Sequence, residues 1–208
     1  MGRISADTVA AFRAALADPI VVDRYWSHVR RTDEPDRCWL WTGAIAGKGH
    51  GRFQVGDTYV EFPGRPRRRR TFVVIAHRFG FAVAYGLDTL LDTPLVSHRC
   101  DNPLCQLPDH WRASNHRANG QEYAHRRSVV RGSLADTRGA RGRAAAIRDA
   151  ARAGGDTADA VLAGLPPVHR DQLDLFDAGY SSTRPSPPWL DCLPDIKPGA
   201  PAYGRRPW

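Results

Sequence analysis

Lysine is almost missing from this 208-residue chain: of its 30 lysines and arginines, only Lys48 and Lys197 are lysines. Methionine occurs once and cysteine four times. No apolar run approaches the ~18 residues that a membrane-crossing helix needs. The first 17 residues interrupt their apolar positions with Arg3, Asp7 and Arg13, so a continuous secretory-signal stretch is lacking as well. A cytoplasmic location is the expectation, and in that reducing setting a close cysteine pair reads as a metal site before a disulfide. Acidic residues number 22, which leaves a net charge of +8 and an isoelectric point near 9.8. That excess favours a polyanionic partner. Arginine together with abundant Ala, Gly and Pro also suits a GC-rich genome, so charge alone leaves both readings open.

At this length one well-buried core with additions is expected. Ser5 precedes a helical pattern with Val9, Phe12 and Leu16 on one face, and a second amphipathic stretch runs over 20–29. A β-rich region opens with Cys38-Trp39-Leu40-Trp41-Thr42-Gly43. Within it, strands 52–55 and 58–60 flank Gly56-Asp57, a two-residue hairpin signal, and 71–75 supplies the third strand of a meander. Between them, Gly64-Arg65-Pro66-Arg67-Arg68-Arg69-Arg70 reads as a loop, either a solvated one or one that contacts phosphates. A helix is expected over 76–85 with Gly86 as a left-handed C-cap, then a strand over 95–100, a cysteine-bearing loop, and a helix capped by Ser114 and running to about 127. Beyond 132, short helical patterns around Ile147 and Val161 form a small appendage, and from about 179 the chain is a Pro-rich tail. The expected organisation is N-terminal helices over 1–33, a core over 34–131, a helical appendage over 132–178 and a tail over 179–208.

Cys100, Cys105 and His110 are separated by four residues in each interval, with Pro103 and Pro108 bending the chain between them. Thiolates and an imidazole so spaced can converge on one Zn²⁺ at about 2.0–2.3 Å. Cys38 is the expected fourth ligand, and Cys192 a free thiol. His98, two residues before Cys100, projects to the same side of an extended strand and stands just beyond the metal loop. A neutral imidazole there can take a proton from water, as phosphodiester hydrolysis requires. Asn119 offers an amide oxygen to a hard Mg²⁺ ion on the returning helix. His50, His116 and His125 are read as surface or structural residues, with His77 set apart from them.

The run Ser97-His98-Arg99-Cys100-Asp101-Asn102-Pro103-Leu104-Cys105, followed by Pro108-Asp109-His110-Trp111 and Asn119, resembles the pattern of zinc-containing HNH and His-Cys box endonucleases of phages and mobile elements. Cys38-Trp39-Leu40-Trp41-Thr42-Gly43, Gly49-His50-Gly51-Arg52-Phe53 and Ala76-His77-Arg78 are similar to the upstream blocks of the same family, so the resemblance covers about 38–127. It implies an α+β fold with a zinc-bound ββα-metal (His-Me finger) core, a small antiparallel sheet and added helices. Carried over by position, it implies Cys38, Cys100, Cys105 and His110 as structural zinc ligands, His98 as the base that activates water, Asn119 as the Mg²⁺ ligand, and His77 near the site. The implied activity is metal-dependent hydrolysis of DNA. Arg52 is the candidate for stabilising charge on the scissile phosphate, with Arg65, Arg67, Arg68, Arg69 and Arg70 as DNA-contacting residues or as an alternative source of that charge. A zinc module that only binds nucleic acid and an RNase on the same core are the competing readings. Gln172-Leu173-Asp174-Leu175-Phe176 resembles the short peptide by which bacterial proteins dock on the sliding clamp, Gln172, Leu173, Leu175 and Phe176 being the contacts; the alternative is the end of a packing helix. Oligomeric state is left open, a homodimer among the options.

Overall fold

The computed structural model describes residues 6–62, 64–127 and 133–165. Helices and short antiparallel sheets alternate around one core, giving a mixed α+β architecture. Helix α1 (Ala6–Ala17) leads into α2 (Pro19–Ser27), where Asp18 caps the first turn by accepting from the Ile20 amide at 2.9 Å. The expected continuation of this helix to residue 29 stops short. Val29 and Arg30 instead form β1 and pair with β2 (Leu40–Trp41), since Thr42 draws on the His28 carbonyl through both its amide and its hydroxyl.

The next element departs furthest from expectation. No three-stranded meander forms among the described residues: β3 (Arg52–Phe62) and β4 (Arg65–Ile75) make one long antiparallel hairpin. Gly56-Asp57 lies inside β3 at a register slip, with Gln54 opposite Val73 and Gly56 already opposite Phe72. The slip is a bulge, which absorbs a glycine as readily as a turn does. The chain reverses instead between Phe62 and Arg65, where Gly64 takes φ 71°. The arginine segment is therefore a strand and not a loop. Arg68, Arg69 and Arg70 stand opposite Val60, Tyr59 and Thr58, so long-range pairing with β-forming residues overrides the local turn chemistry.

Helix α3 (Ala76–Tyr85) has the expected bounds and buries Ala76, His77, Phe79, Phe81 and Ala82. Gly86 has positive φ (92°) but extended ψ (153°), so it is a junction to α4 (Leu87–Asp92) and not a left-handed cap. Strand β5 (Leu95–His98) pairs with β6 (Trp111–Ser114), Leu95 opposite Ser114 and His98 opposite Trp111. Helix α5 (His116–Arg127) follows. Its cap is Asn115, whose Oδ1 accepts from the Ala118 amide at 2.9 Å, because Ser114 is still committed to β6.

Tyr25, Trp41, Phe53 and Phe79 form the centre of the core, each at most 1% exposed, with the Phe53 and Phe79 rings 4.8 Å apart. Helix α6 (Gly139–Arg152) adds Ala144, Ile147 and Ala151 to the same cluster, so this part of the expected appendage is built into the core. Arg30 donates to the Ala151 carbonyl and Arg152 to that of Thr42, and α7 (Thr157–Leu162) packs back on α6. No helix of the described residues is long and apolar enough to cross a membrane. Gln172, Leu173, Leu175, Phe176 and Cys192 lie outside the described residues.

Candidate metal centre and histidine site

The loop between β5 and β6 is held by its own backbone. Asn102 accepts from the Leu104 amide through Oδ1 and from the Cys105 amide through its carbonyl, while a short 3-10 turn (Pro108–His110) returns the chain to β6. Asp101 takes φ 53°, a left-handed conformation that aspartate tolerates. Cys38 reaches this loop through the pairing of the three residues that follow it. The Trp41 amide donates to the Leu104 carbonyl at 2.9 Å, the Gln106 amide donates to the Trp39 carbonyl at 2.7 Å, and Leu40 bridges Cys105. Beneath the loop, the fully buried Gln106 accepts from the Tyr25 hydroxyl at 2.7 Å, tying the loop to the aromatic core.

The outcome is the cluster that the spacing anticipates. One ligand atom each from Cys38, Cys100, Cys105 and His110 lies within 4.8 Å of the others. His110 Nδ1 is 3.6 Å from the Cys38 sulfur and 3.4 Å from that of Cys105. Three soft sulfurs and one imidazole, four donors in all, are the composition of a closed structural zinc site. The charges support the fit. Hydrogen bonds from Cys105 and Cys38 hold the Cys100 thiol down to about 2. The Cys38 thiol is pushed up to about 12, first by its bond to Cys100, and that of Cys105 is pushed up as well. One anionic sulfur is thus shared by two thiols, and a dication is what allows all three to be thiolates together.

His98 ends β5 beside this cluster, buried at 8% exposure. Its Nε2 is 3.1 Å from the Cys105 carbonyl, which also accepts from Trp111 Nε1 at 3.1 Å. A carbonyl oxygen only accepts, so His98 Nε2 carries the proton and Nδ1 of the neutral ring keeps a free lone pair. Burial depresses the imidazolium to about 4, which leaves the ring neutral at pH 7.

His77, on the first turn of α3, lies against His98 with ring centroids 4.6 Å apart, and His50 joins them at 5.3 Å from His77 and 6.4 Å from His98. One nitrogen from each of the three rings falls within 4.8 Å of the others. His50, read from sequence as a surface or structural residue, is therefore half-buried in a histidine cluster. A signal was present in its two glycine neighbours. A Cβ on Gly51 would stand 2.6 Å from the Trp41 ring and 2.9 Å from Ala76, and one on Gly49 (φ 85°) would stand 2.7 Å from the Ala140 carbonyl. These close approaches bring the loop onto α3 and α6, and the Ala76 amide donates to the Gly51 carbonyl at 2.9 Å.

Asn119 is half-buried near the start of α5. That helix is clamped to the sheet and the metal loop by ions: Glu122 pairs with Arg112 on β6 and with Arg126, and Arg126 reaches Asp101 at 2.6 Å. Arg52 is exposed at the start of β3, two residues from His50, while Arg68 and Arg69 are exposed along β4 and Arg69 pairs with Asp57. Arg65, Arg67 and Arg70 share that strand. In register, Arg68 and Arg69 lie five and more residues before the junction of β4 with α3 at Ile75 and Ala76. No family model, curated protein or solved structure matches this chain.

Proposed function

We propose that this protein is a DNA endonuclease of the zinc-containing HNH or His-Cys box type, with β5, the Cys/His loop, β6 and α5 as its ββα-metal core. The observation that carries the reading is the state of His98. Its Nε2 is spent on the Cys105 carbonyl, so the neutral ring offers Nδ1 as a base with a fixed direction. The zinc cluster supports it through the same residue, since the Cys105 side chain belongs to the cluster and its carbonyl orients the base.

In this reading His98 Nδ1 takes a proton from water as the water oxygen attacks phosphorus, and the bond to the 3′ oxygen breaks, leaving 5′-phosphate and 3′-hydroxyl ends. His77 packs on the His98 ring and positions it. Arg52, exposed and two residues after His50, would hold a phosphate oxygen. Asn119 would hold Mg²⁺, which when bound supplies positive charge to the phosphate and the leaving oxygen. Arg68 and Arg69 of β4, both exposed, would hold flanking DNA, with Arg65, Arg67 and Arg70 on the same strand.

The test is incubation of zinc-loaded protein with supercoiled DNA, linear DNA and a structured RNA, each with and without Mg²⁺. Mg²⁺-dependent breaks in DNA are expected. Binding without breakage would make the protein a non-catalytic zinc module, and breakage of RNA alone would make it an RNase.

A further inference from the structure

We propose that His50, His77 and His98 form a second metal site, for a borderline divalent cation of the zinc, cobalt or nickel kind, and that its occupation disables His98 as a base. The metal-binding half stands on the cluster alone; the disabling half rests on the reading of His98 given above.

The three imidazoles come from three separate segments: the loop before β3, the first turn of α3 and the end of β5. Their convergence is fixed by backbone. The Gly51–Ala76 hydrogen bond places His50 beside His77, and the Cys105 carbonyl holds His98. Nitrogens bound to one tetrahedral ion at about 2.0–2.1 Å stand roughly 3.4 Å apart. The three nitrogens lie within 4.8 Å of one another, so binding draws the rings closer, and His50 is the least buried of the three.

Two nitrogens in this cluster have no other use. His98 Nδ1 is left free once Nε2 donates to Cys105. His77 is 5% exposed, and its Nδ1 is buried without a hydrogen-bond partner among the described residues. A buried nitrogen without a partner is costly, and a ligand can recover that cost. Burial lowers the pKa of both His50 and His77, so both rings are neutral, the form that binds metal. The charged groups acting on those two rings are Lys48, Arg78 and the other histidines, with no carboxylate among them. A hard oxygen-seeking ion such as Mg²⁺ finds nothing to bind there, whereas imidazole suits zinc, nickel and copper. Three protein ligands leave a fourth position for water, unlike the closed four-ligand cluster nearby. A metal on His98 Nδ1 occupies the lone pair that the base needs, so metal and proton transfer exclude each other.

The experiment starts from protein carrying one equivalent of zinc in the Cys/His cluster. Titration with Co²⁺, followed by visible absorption and by metal analysis after gel filtration, should show a second equivalent bound. Its spectrum should lack thiolate-to-cobalt charge transfer, which separates it from exchange into the cysteine cluster. His50→Gln should lose that equivalent while retaining zinc. Independently of any variant, NMR of the wild type should show the His50, His77 and His98 ring signals shifted by Co²⁺, with His116 and His125 unmoved. A single equivalent in the wild type, or ring shifts confined to His116 and His125, overturns the site. In the cleavage arm, excess Zn²⁺ should suppress Mg²⁺-dependent cutting at least tenfold in wild type and little in His50→Gln. Binding of the second metal with cutting undiminished overturns the disabling half alone, and a wild type that binds two metals yet never cuts sinks the nuclease reading while leaving the site in place.

Discussion

The four-ligand Cys/His cluster and the three-histidine cluster meet at Cys105, and they are built in opposite ways. The first gathers sulfurs that crowd one another into sharing a single negative charge, so without a cation its donors are in conflict. The second gathers neutral rings that burial keeps neutral, one of them locked by a carbonyl. The difference separates two jobs. A site whose thiols disfavour one another's charge is suited to a cation, and a site whose rings rest neutral is suited to accept a proton or a ligand. Cys105 couples them, side chain to one and carbonyl to the other.

Removing the metal from the first cluster should therefore have the largest effect. Structural zinc contributes about 10–16 kcal/mol of apparent binding energy in small peptides, comparable to the whole stability of a domain, about 5–15 kcal/mol. Cys100→Ser should abolish zinc retention and lower the melting temperature by more than about 10 °C, read by calorimetry and metal analysis. A variant that melts with the wild type would break the contrast, because the thiols would then be ordinary core residues.

On the helical side ion pairs link the described residues, which gives a smaller and acid-sensitive effect. The buried carboxylate of Asp136 accepts from the Arg138 amide at 2.9 Å and pairs with the Arg138 and Arg143 side chains. The Arg138 hydrogen bond, first among the causes, holds the carboxyl below the usual carboxylate range. A depressed folded-state pKa adds stability above the unfolded value and loses it as pH falls through the folded one. Asp136→Asn should thus cost about 2 kcal/mol at pH 7 and flatten the acid limb of stability below about pH 4. Equal denaturant midpoints for mutant and wild type at pH 7 would show that the ion pairs contribute nothing there.

The smallest effect belongs to Arg68 and Arg69 of the β3–β4 hairpin, a hairpin that contributes no donor to either cluster. If Arg68 and Arg69 contact phosphates, replacing both by Gln should reduce the slope of log affinity against log salt by about 0.9 for each lost contact, with specificity unmoved. An unchanged slope would return this strand to a solvated edge.

What could be read in the sequence follows the range of the interactions. Cys100, Cys105 and His110 lie within eleven residues and Ala76–Tyr85 carries its own apolar face, so both were legible locally. The hairpin is not, because Gly56-Asp57 fits a bulge as well as a turn, and only pairing with Phe72 and Thr71, sixteen and fourteen positions away, decides between them. Asn115 and Ser114 are both competent caps, and the β5–β6 register makes the choice. His50 reads as a surface or structural residue because nothing local links it to His77 and His98. Its flanking glycines mark a close approach without naming what is approached.

Whether His98 acts on water while zinc sits elsewhere is decided by Mg²⁺-dependent cleavage of supercoiled DNA by His98→Ala beside wild type, at matched zinc content and melting temperature. Wild type should convert the plasmid to nicked or linear forms, and the variant, folded and zinc-loaded, should leave it intact. Cleavage by the variant at the wild-type rate would contradict that role for His98.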